Sequence, residues 1–265
     1  MIKSITQLIV EIQADLSRWG ETTKPWFRGE SGNHPTLCPK IAKYTANEEN
    51  YLLQSFRRQA GGLANSPPRQ GHTDMWLFKA QHYGIPTRLL DWTEGGLHAL
   101  YFAINSGNLN PRMYMLNPHH LNELAIGHKL PDYEFPLSWG RDKIGTVYVS
   151  LAWQHRNLAP EHMNVEETKG WNLDIPIAFP ATYQDQRMIA QRSCFTIHGI
   201  TLKPLSEILK NMRVELADYL IEYEIDFESR KSLLRELSIL GISAATIFPD
   251  LDHLSQDLIN DAGAK

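Results

Sequence analysis

The segment WFRGE, residues 26–30, places one guanidinium between aromatic residues and a glycine. The aromatic residues predict a buried strand, in which Arg28 must find carboxylate or carbonyl partners because a buried charge without them is costly. One interpretation is a structural ion pair. The other is a bidentate grip on a phosphate or ribose, with Gly29 letting a ligand approach the backbone.

The segment QHYGIPTRLLDWT, residues 81–93, is a second group of polar side chains, set around a rigid Gly-x-Pro turn. Arg88 and Asp91 stand three positions apart and would pair if the segment formed one helical turn, with Trp92 beside them. Such a loop is either a structural loop whose charged side chains pair with each other or part of the surface of a functional site. A lone His82 is more typical of a structural histidine, but its place beside a tyrosine and a rigid turn favours a role in a site.

Two further clusters lie nearer the carboxyl terminus. Arg187 and Gln191 are spaced for one helix face. The segment FPDLD, residues 248–252, contains Asp250 in the Asp-x-Asp pattern that is typical of a helix N-cap. Two carboxylates alone are too few for a convincing metal site.

These residues need elements to position them, and the hydrophobic periodicity predicts helices and strands in mixed order. Ser4-x-x-Gln7 is a capping-box pattern for a first helix that ends at Gly20. Asp74 is expected to cap a helix that ends near Gly84. Without regular βαβ alternation, the pattern predicts an α+β fold, a single compact domain with a small mixed or antiparallel sheet surrounded by helices. Other predicted helices include residues 46–60, 96–105 and 228–242, and the predicted strands include residues 145–152, 175–180 and 218–226.

The length and composition indicate one domain without a membrane-spanning segment. The 265 residues have a net charge of −4, a pI near 6.3 and no apolar run long enough to cross a bilayer. We therefore expect a cytoplasmic protein with no membrane contact and no strong sign of nucleic-acid binding. Two distant cysteines and the lack of a metal-ligand spacing predict no metal. The predicted organisation is an N-terminal helix at 1–21 and a domain at 22–258, in which 118–172 could be an insertion.

Several motifs together resemble the FRG domain, a family named for its (F/Y)RG tripeptide. The motifs are WFRGE, QHYGIPTRLLDWT followed by ALYFAI, RMIAQRSCFTIH, and ISAATIFPDLDHL. The resemblance covers about residues 22–258, and it supplies no activity by itself.

A more distant similarity links the opening strand and the LYFA segment to ADP-ribosyltransferases. It implies that Arg28 holds NAD and that Tyr101 forms an aromatic wall. The chain departs from that pattern after Gln191, because Ser193 stands where a glutamate is expected. The similarity implies a possible ADP-ribosyltransferase-like fold, with the acidic residue supplied by Asp91 or Asp250.

The leading functional hypothesis is an enzyme that uses NAD as a substrate and cleaves its nicotinamide–ribose bond. Asp91 is the candidate catalytic carboxylate, and Arg28 or Arg88 is the candidate cation. The alternatives are a nucleotide-binding module without turnover, or a phosphodiester hydrolase that uses His82 and Asp250. The partners are a nucleotide or dinucleotide and an unknown macromolecular acceptor. The FRG strand, the 81–93 segment and the FPDLD turn are expected to meet in one cleft, and the candidate ligand-binding residues are Gly29, His82, Tyr83, Thr87, Trp92, Tyr101, Gln191 and Asp250.

Overall fold

In the described part of the chain, six antiparallel strands form the sheet that is the framework of the fold, which we describe from a computed structural model. The structure describes residues 1–20, 23–32, 36–63, 67–68, 73–106, 109–130, 170–181 and 183–263. The strand predicted at residues 145–152 lies outside them. The strand order is β4-β5-β2-β1-β3-β6, and the strands are β1 (Trp26–Ser31), β2 (Leu89–Thr93), β3 (Pro111–Leu116), β4 (Ile177–Pro180), β5 (Ser193–Ile197) and β6 (Leu220–Glu224).

Ten α-helices accompany the sheet within the described residues, so the α+β prediction is confirmed. Short 3₁₀ helices occur at Lys40–Lys43 and Leu216–Asp218. The helices are α1 (Ile5–Trp19), α2 (Ala46–Leu63), α3 (Thr73–His82), α4 (Gly96–Asn105), α5 (Pro118–Ile126), α6 (Gln186–Ala190), α7 (Leu205–Asn211), α8 (Arg230–Ile239), α9 (Ala244–Ile247) and α10 (Leu251–Asp261).

Local sequence signals fix the ends of α1 as predicted. The Ser4 side chain accepts a hydrogen bond from the backbone N–H of Gln7, which is the capping interaction expected from their spacing. Gly20 ends the helix with φ +97°, a conformation that favours glycine. The start of α3 differs from the prediction, because the helix begins at Thr73 and Asp74 therefore lies inside its first turn.

Two buried clusters occupy the two faces of the sheet. Alternation along β1 sends Trp26 into one cluster and Phe27 into the other, and β3 divides in the same way between Tyr114 and Met113. The cluster on the Phe27 side includes Tyr101 from α4, whose side chain is 5% exposed. Tyr101 is therefore a core residue, and burial raises the pKa of its hydroxyl.

Gly29 lets α4 pack closely against β1. A Cβ atom at this position would lie 1.9 Å from the backbone oxygen of Ala99 and 2.5 Å from the backbone nitrogen of Ala103. Both atoms belong to a helix backbone and cannot move aside easily. The absent side chain therefore serves helix packing, while the expected approach of a ligand to this backbone stays a prediction.

The register of the central strands determines where their ends lie. Strand β2 pairs with β5 along its length, from Leu89 opposite Ile197 to Thr93 opposite Ser193. Among the described residues, β1 pairs with β2 only where Phe27 faces Thr93. Beyond that pair the two strands need another connection, and the Arg28 side chain provides one.

Candidate functional site

A cleft of about 1020 Å³ is lined by residues of β1, β2 and β5. The FRG strand and the 81–93 segment both line it, as the sequence predicted. The third predicted segment reaches it only indirectly, since Phe248 contacts lining residues while Asp250 is not among the lining residues. The structure thus brings two of the three segments into one cleft and sets the FPDLD turn behind its wall.

Arg28 bridges β1 and β2 at the cleft. Its Nε donates to Glu30 Oε1 at 2.7 Å, and its Nη1 donates to the backbone oxygen of Asp91 at 2.7 Å. The Asp91 carboxylate lies farther away, with Oδ2 at 3.9 Å from Nη1. The guanidinium is held on two sides, yet 22% of the side chain stays exposed. The structural pair is therefore present and part of the cation stays open to the cleft, while the grip on a phosphate or ribose stays a prediction.

Asp91 presents an exposed carboxylate that is oriented by one neighbour. Gln81 Nε2 donates to its Oδ2 at 2.8 Å, and 56% of the Asp91 side chain is exposed. Thr87 in turn donates from its hydroxyl to Gln81 Oε1 at 2.7 Å and accepts from the backbone N–H of Leu89 at 3.0 Å. Thr87 is buried and lies outside the cleft lining, so it acts on Asp91 only through Gln81.

Arg88 is a structural residue, which corrects the predicted Arg88–Asp91 pair. Its side chain is fully buried, and Nε and Nη2 hold the two oxygens of Glu49 at 2.5 and 2.8 Å. Its Nη1 donates to the backbone oxygens of His198 and Gly199. The segment after Arg88 is a strand, in which residues three apart face opposite sides. Arg88 is absent from the cleft lining, so it cannot serve as the predicted catalytic cation.

His82 lines the cleft at the end of α3. Its Nδ1 lies 3.3 Å from Asp185 Oδ2, but burial is the largest influence and lowers the pKa of the imidazole below its usual 6.5. The ring is therefore neutral at pH 7 and offers one donor and one acceptor. Tyr83 is 67% exposed, lies outside the lining and packs on Phe56 and His82.

Trp92 and Gln191 form part of the cleft surface near the end of β2. The Trp92 indole is mostly buried and donates to Thr196 Oγ1 at 3.0 Å. The backbone oxygen of Gln191 accepts from the Thr93 hydroxyl at 2.7 Å, which fixes α6 to β2. The Gln191 side-chain nitrogen is buried and has no hydrogen-bond acceptor among the described residues. It is a free polar group at the cleft wall.

Arg187 is connected to the FPDLD turn through an aromatic stack. Its guanidinium carbon lies 4.8 Å from the centroid of the Phe248 ring, whose other contacts include a stacked His253 at 4.5 Å. Asp250 caps α10, accepting from the backbone N–H of His253 at 2.9 Å and from its Nδ1 at 2.7 Å. The backbone bond lowers the pKa of Asp250. Asp250 is thus a capping residue, as the cap alternative predicted, and it lies outside the cleft lining.

The charged side chains of the lining are mostly cationic. Among the described residues that line it, the two carboxylates, Glu30 and Asp91, already accept protein hydrogen bonds, and the cations are Arg28, Lys40, Lys43, Arg187 and Lys203. The chain as a whole has a net charge of −4. The cleft therefore concentrates positive charge in an acidic protein, which attracts anions. The sequence did not point to the lysines, because they come from separate loops and form no local motif.

The fold and cleft define the chain as an α+β domain with a basic cleft at an antiparallel sheet. The family model of the FRG domain matches residues 23–111. This range contains the WFRGE and QHYGIPTRLLDWT motifs, residues of which line the cleft. The predicted resemblance to the FRG domain is confirmed over that segment. No curated protein and no solved structure matches the chain.

The described residues show neither a membrane span nor a metal cluster. Among them, no helix has the length and apolar character to cross a bilayer. The same part of the chain contains no group of three or more His, Cys, Asp or Glu side chains arranged for a metal ion. The cytoplasmic location stays a prediction.

Proposed function

We propose that the cleft binds an anionic dinucleotide of the NAD type. The observation that carries this proposal is the Arg28 guanidinium, which is held by Glu30 and the Asp91 backbone and remains partly open to the cleft. A guanidinium fixed in this way keeps donors for a phosphate oxygen without losing side-chain freedom on binding. The positive charge of the lining supports the same class of ligand.

The size and the aromatic surfaces of the cleft also support a dinucleotide. Small-molecule sites usually occupy about 300–1,000 Å³, and the cleft volume of about 1020 Å³ is slightly above that range. Tyr44 lines the cleft with 39% of its surface exposed, and Phe102 lines it from α4. Each offers an aromatic face on which a base or a nicotinamide ring can stack.

Cleavage of the nicotinamide–ribose bond is the second candidate function, favoured by the exposed Asp91 carboxylate beside Arg28. When the bond between ribose C1′ and the nicotinamide nitrogen breaks, its electron pair leaves with neutral nicotinamide. Positive charge then develops at C1′, where a carboxylate stabilises it. An acceptor oxygen bonds to C1′ and releases its proton to water. An unidentified macromolecule or water is the acceptor in this proposal.

Calorimetric titration of NAD tests the binding proposal. We expect Arg28→Lys to weaken binding nearly as much as Arg28→Ala, because lysine lacks the planar two-donor fork. Loss of one charge-assisted contact costs about 1.5–3 kcal/mol, which is about a tenfold to hundredfold loss of affinity. Arg112→Lys is the matched control, since Arg112 also lies on a strand and pairs with Glu222 at 2.6 Å but does not line the cleft.

Two results would contradict the binding proposal. No heat from the wild-type protein at millimolar NAD removes NAD as the ligand. Unchanged NAD affinity in both Arg28 variants, with lower melting temperatures, reduces Arg28 to a structural pair.

Nicotinamide release tests the second candidate separately. Asp91→Asn keeps the shape and removes the charge, so we expect activity to fall while the melting temperature changes little, because the carboxylate is 56% exposed. If NAD binds to the wild-type protein and no nicotinamide is released, the cleft binds without turnover. Binding and chemistry are then distinguished by two readouts on one protein.

A further inference from the structure

The strand register places cations at both ends of the cleft. Helix α6 carries Arg187 and leads into β5 at Ser193, which pairs with Thr93 at one end of the central strands. At the other end, Leu89 pairs with Ile197, and the chain continues from there toward Lys203. We call the first the Arg187 end. The second, formed by Lys40, Lys43 and Lys203, is the lysine end.

Arg28 lies between the two ends. Its Nη1 bonds to the backbone oxygen of Asp91, the middle residue of the five in β2. A strand advances about 3.4 Å per residue, so β2 spans about 14 Å and Arg28 is about 7 Å from either end of that strand. A ligand whose pyrophosphate lies on Arg28 would therefore extend toward both cationic ends.

The lysine end is built by two loops that hydrogen bonds hold together. The backbone N–H of Leu205 donates to the oxygen of Leu37 at 3.0 Å, and the Cys38 thiol contacts the oxygen of Leu202 at 3.4 Å. These contacts bring the 3₁₀ helix that contains Lys40 and Lys43 next to the loop that contains Lys203. Burial raises the pKa of the Cys38 thiol, so this neighbour adds no negative charge at pH 7.

Lys40 and Lys43 carry the uncompensated charge at this end. Residues three apart in a 3₁₀ helix are eclipsed, so both side chains leave on one side, and both line the cleft. Lys203 is engaged with Glu207, with Nζ and Oε1 at 2.6 Å. In the described part of the chain, no carboxylate lies within 4 Å of the ammonium group of Lys40 or Lys43. Two ammonium groups on one side of a short helix suit a doubly charged phosphate.

We infer that Lys40 and Lys43 form a subsite for a phosphate monoester. The inference rests on the proposed binding of a dinucleotide, whose pyrophosphate lies at Arg28. The preferred ligand then carries one phosphate more than NAD does, on the ribose that extends toward the lysine end. The 2′-phosphorylated dinucleotide NADP has this chemistry. The lysine end thus determines which dinucleotide the cleft selects.

Parallel calorimetric titrations of NAD and NADP test this subsite. We expect the wild-type protein to bind NADP at least tenfold more tightly, because the extra phosphate gains charge-assisted contacts. In the double variant Lys40→Gln/Lys43→Gln, NADP affinity should fall at least tenfold, to the NAD affinity of the same variant. NAD affinity should fall by a much smaller factor, because for NAD the two lysines contribute only to the general positive potential of the cleft. The preference should also shrink at high salt because both lysines are exposed.

A second double variant, Lys210→Gln/Lys231→Gln, removes the same number of charges from exposed positions outside the cleft and should keep the preference. Equal affinity for the two dinucleotides in the wild-type protein overturns the subsite and leaves the proposed function intact. A preference that survives in Lys40→Gln/Lys43→Gln overturns it as well. If neither dinucleotide binds, the proposed function itself fails, and the subsite fails with it.

Discussion

Replacing Arg88 by leucine should lower the stability of the fold and leave the affinity for NAD unchanged. The guanidinium is fully buried and donates to both oxygens of Glu49, at 2.5 and 2.8 Å, and to two backbone oxygens. In Arg88→Leu the buried Glu49 carboxylate loses this guanidinium. Removal of one partner from a buried pair typically costs about 3–5 kcal/mol.

The size of the expected thermal shift follows from the chain length. An unfolding entropy of about 2.1 cal/mol/K per residue gives about 0.56 kcal/mol/K for 265 residues. A loss of 3–5 kcal/mol therefore lowers the melting temperature by about 5–9 °C. The double variant Arg88→Leu/Glu49→Leu removes both charges and should recover much of this loss. It should not recover all of it, because the His198 and Gly199 oxygens lose their donor at a cost of about 1–3 kcal/mol.

Scanning calorimetry measures the shift, and NAD titration below the melting temperature measures the affinity. We expect all three proteins to bind NAD equally, because Arg88 and Glu49 lie outside the cleft. An Arg88→Leu protein with an unchanged melting temperature and lost NAD binding would refute this reasoning. It would show that Arg88 contributes to ligand binding and not to stability.

Three further predictions concern packing, orientation and pH. Gly29→Ala should destabilise the domain strongly in a thermal melt, because the new Cβ meets the α4 backbone at 1.9 Å, whereas Gly62→Ala in open space on α2 should stabilise it by up to about 1 kcal/mol. Phe248→Leu should weaken NAD binding up to about tenfold by removing the ring beneath Arg187, while Phe248→Tyr should retain it; equal affinity in the two variants would contradict an orienting role. Burial and Arg88 lower the pKa of His198 to about 3. Below pH 6.5 this imidazole is therefore protonated in the unfolded chain and stays neutral in the folded chain. Urea unfolding should show about 2 kcal/mol of stability lost to this group between pH 7 and pH 5, and His198→Gln should lack that part of the loss.

Local chemistry let the sequence predict much of the secondary structure. The Ser4 cap, the stop at Gly20 and the cap at Asp250 depend on partners within four residues, so their spacing was sufficient. Mixed periodicity without βαβ alternation likewise predicted the α+β class. The FRG and 81–93 motifs identified two of the segments that meet in the cleft. Each motif concentrates several polar side chains within a few residues, so it was recognisable from the sequence alone.

Partners of buried side chains were not available from local spacing. Arg88 has its counter-ion 39 positions away on α2, and its expected partner Asp91 faces elsewhere because the segment is a strand. Tyr101 lies in a periodic helix, but only the packing of α4 decides that its ring enters the core instead of the cleft.

The basic character of the cleft is likewise a tertiary property. Lys40 and Lys43 belong to one segment of the chain and Lys203 to another, more than 150 positions later. No local motif in either segment predicts that the two segments meet. Electrostatic potential depends on distance in space, so charges that are unremarkable along the chain reinforce one another once the fold brings them together. The sequence by itself determined most of the helices, several of the strands and the residues able to do chemistry. The sheet register and the packing of α4 decided which of those residues share a cleft.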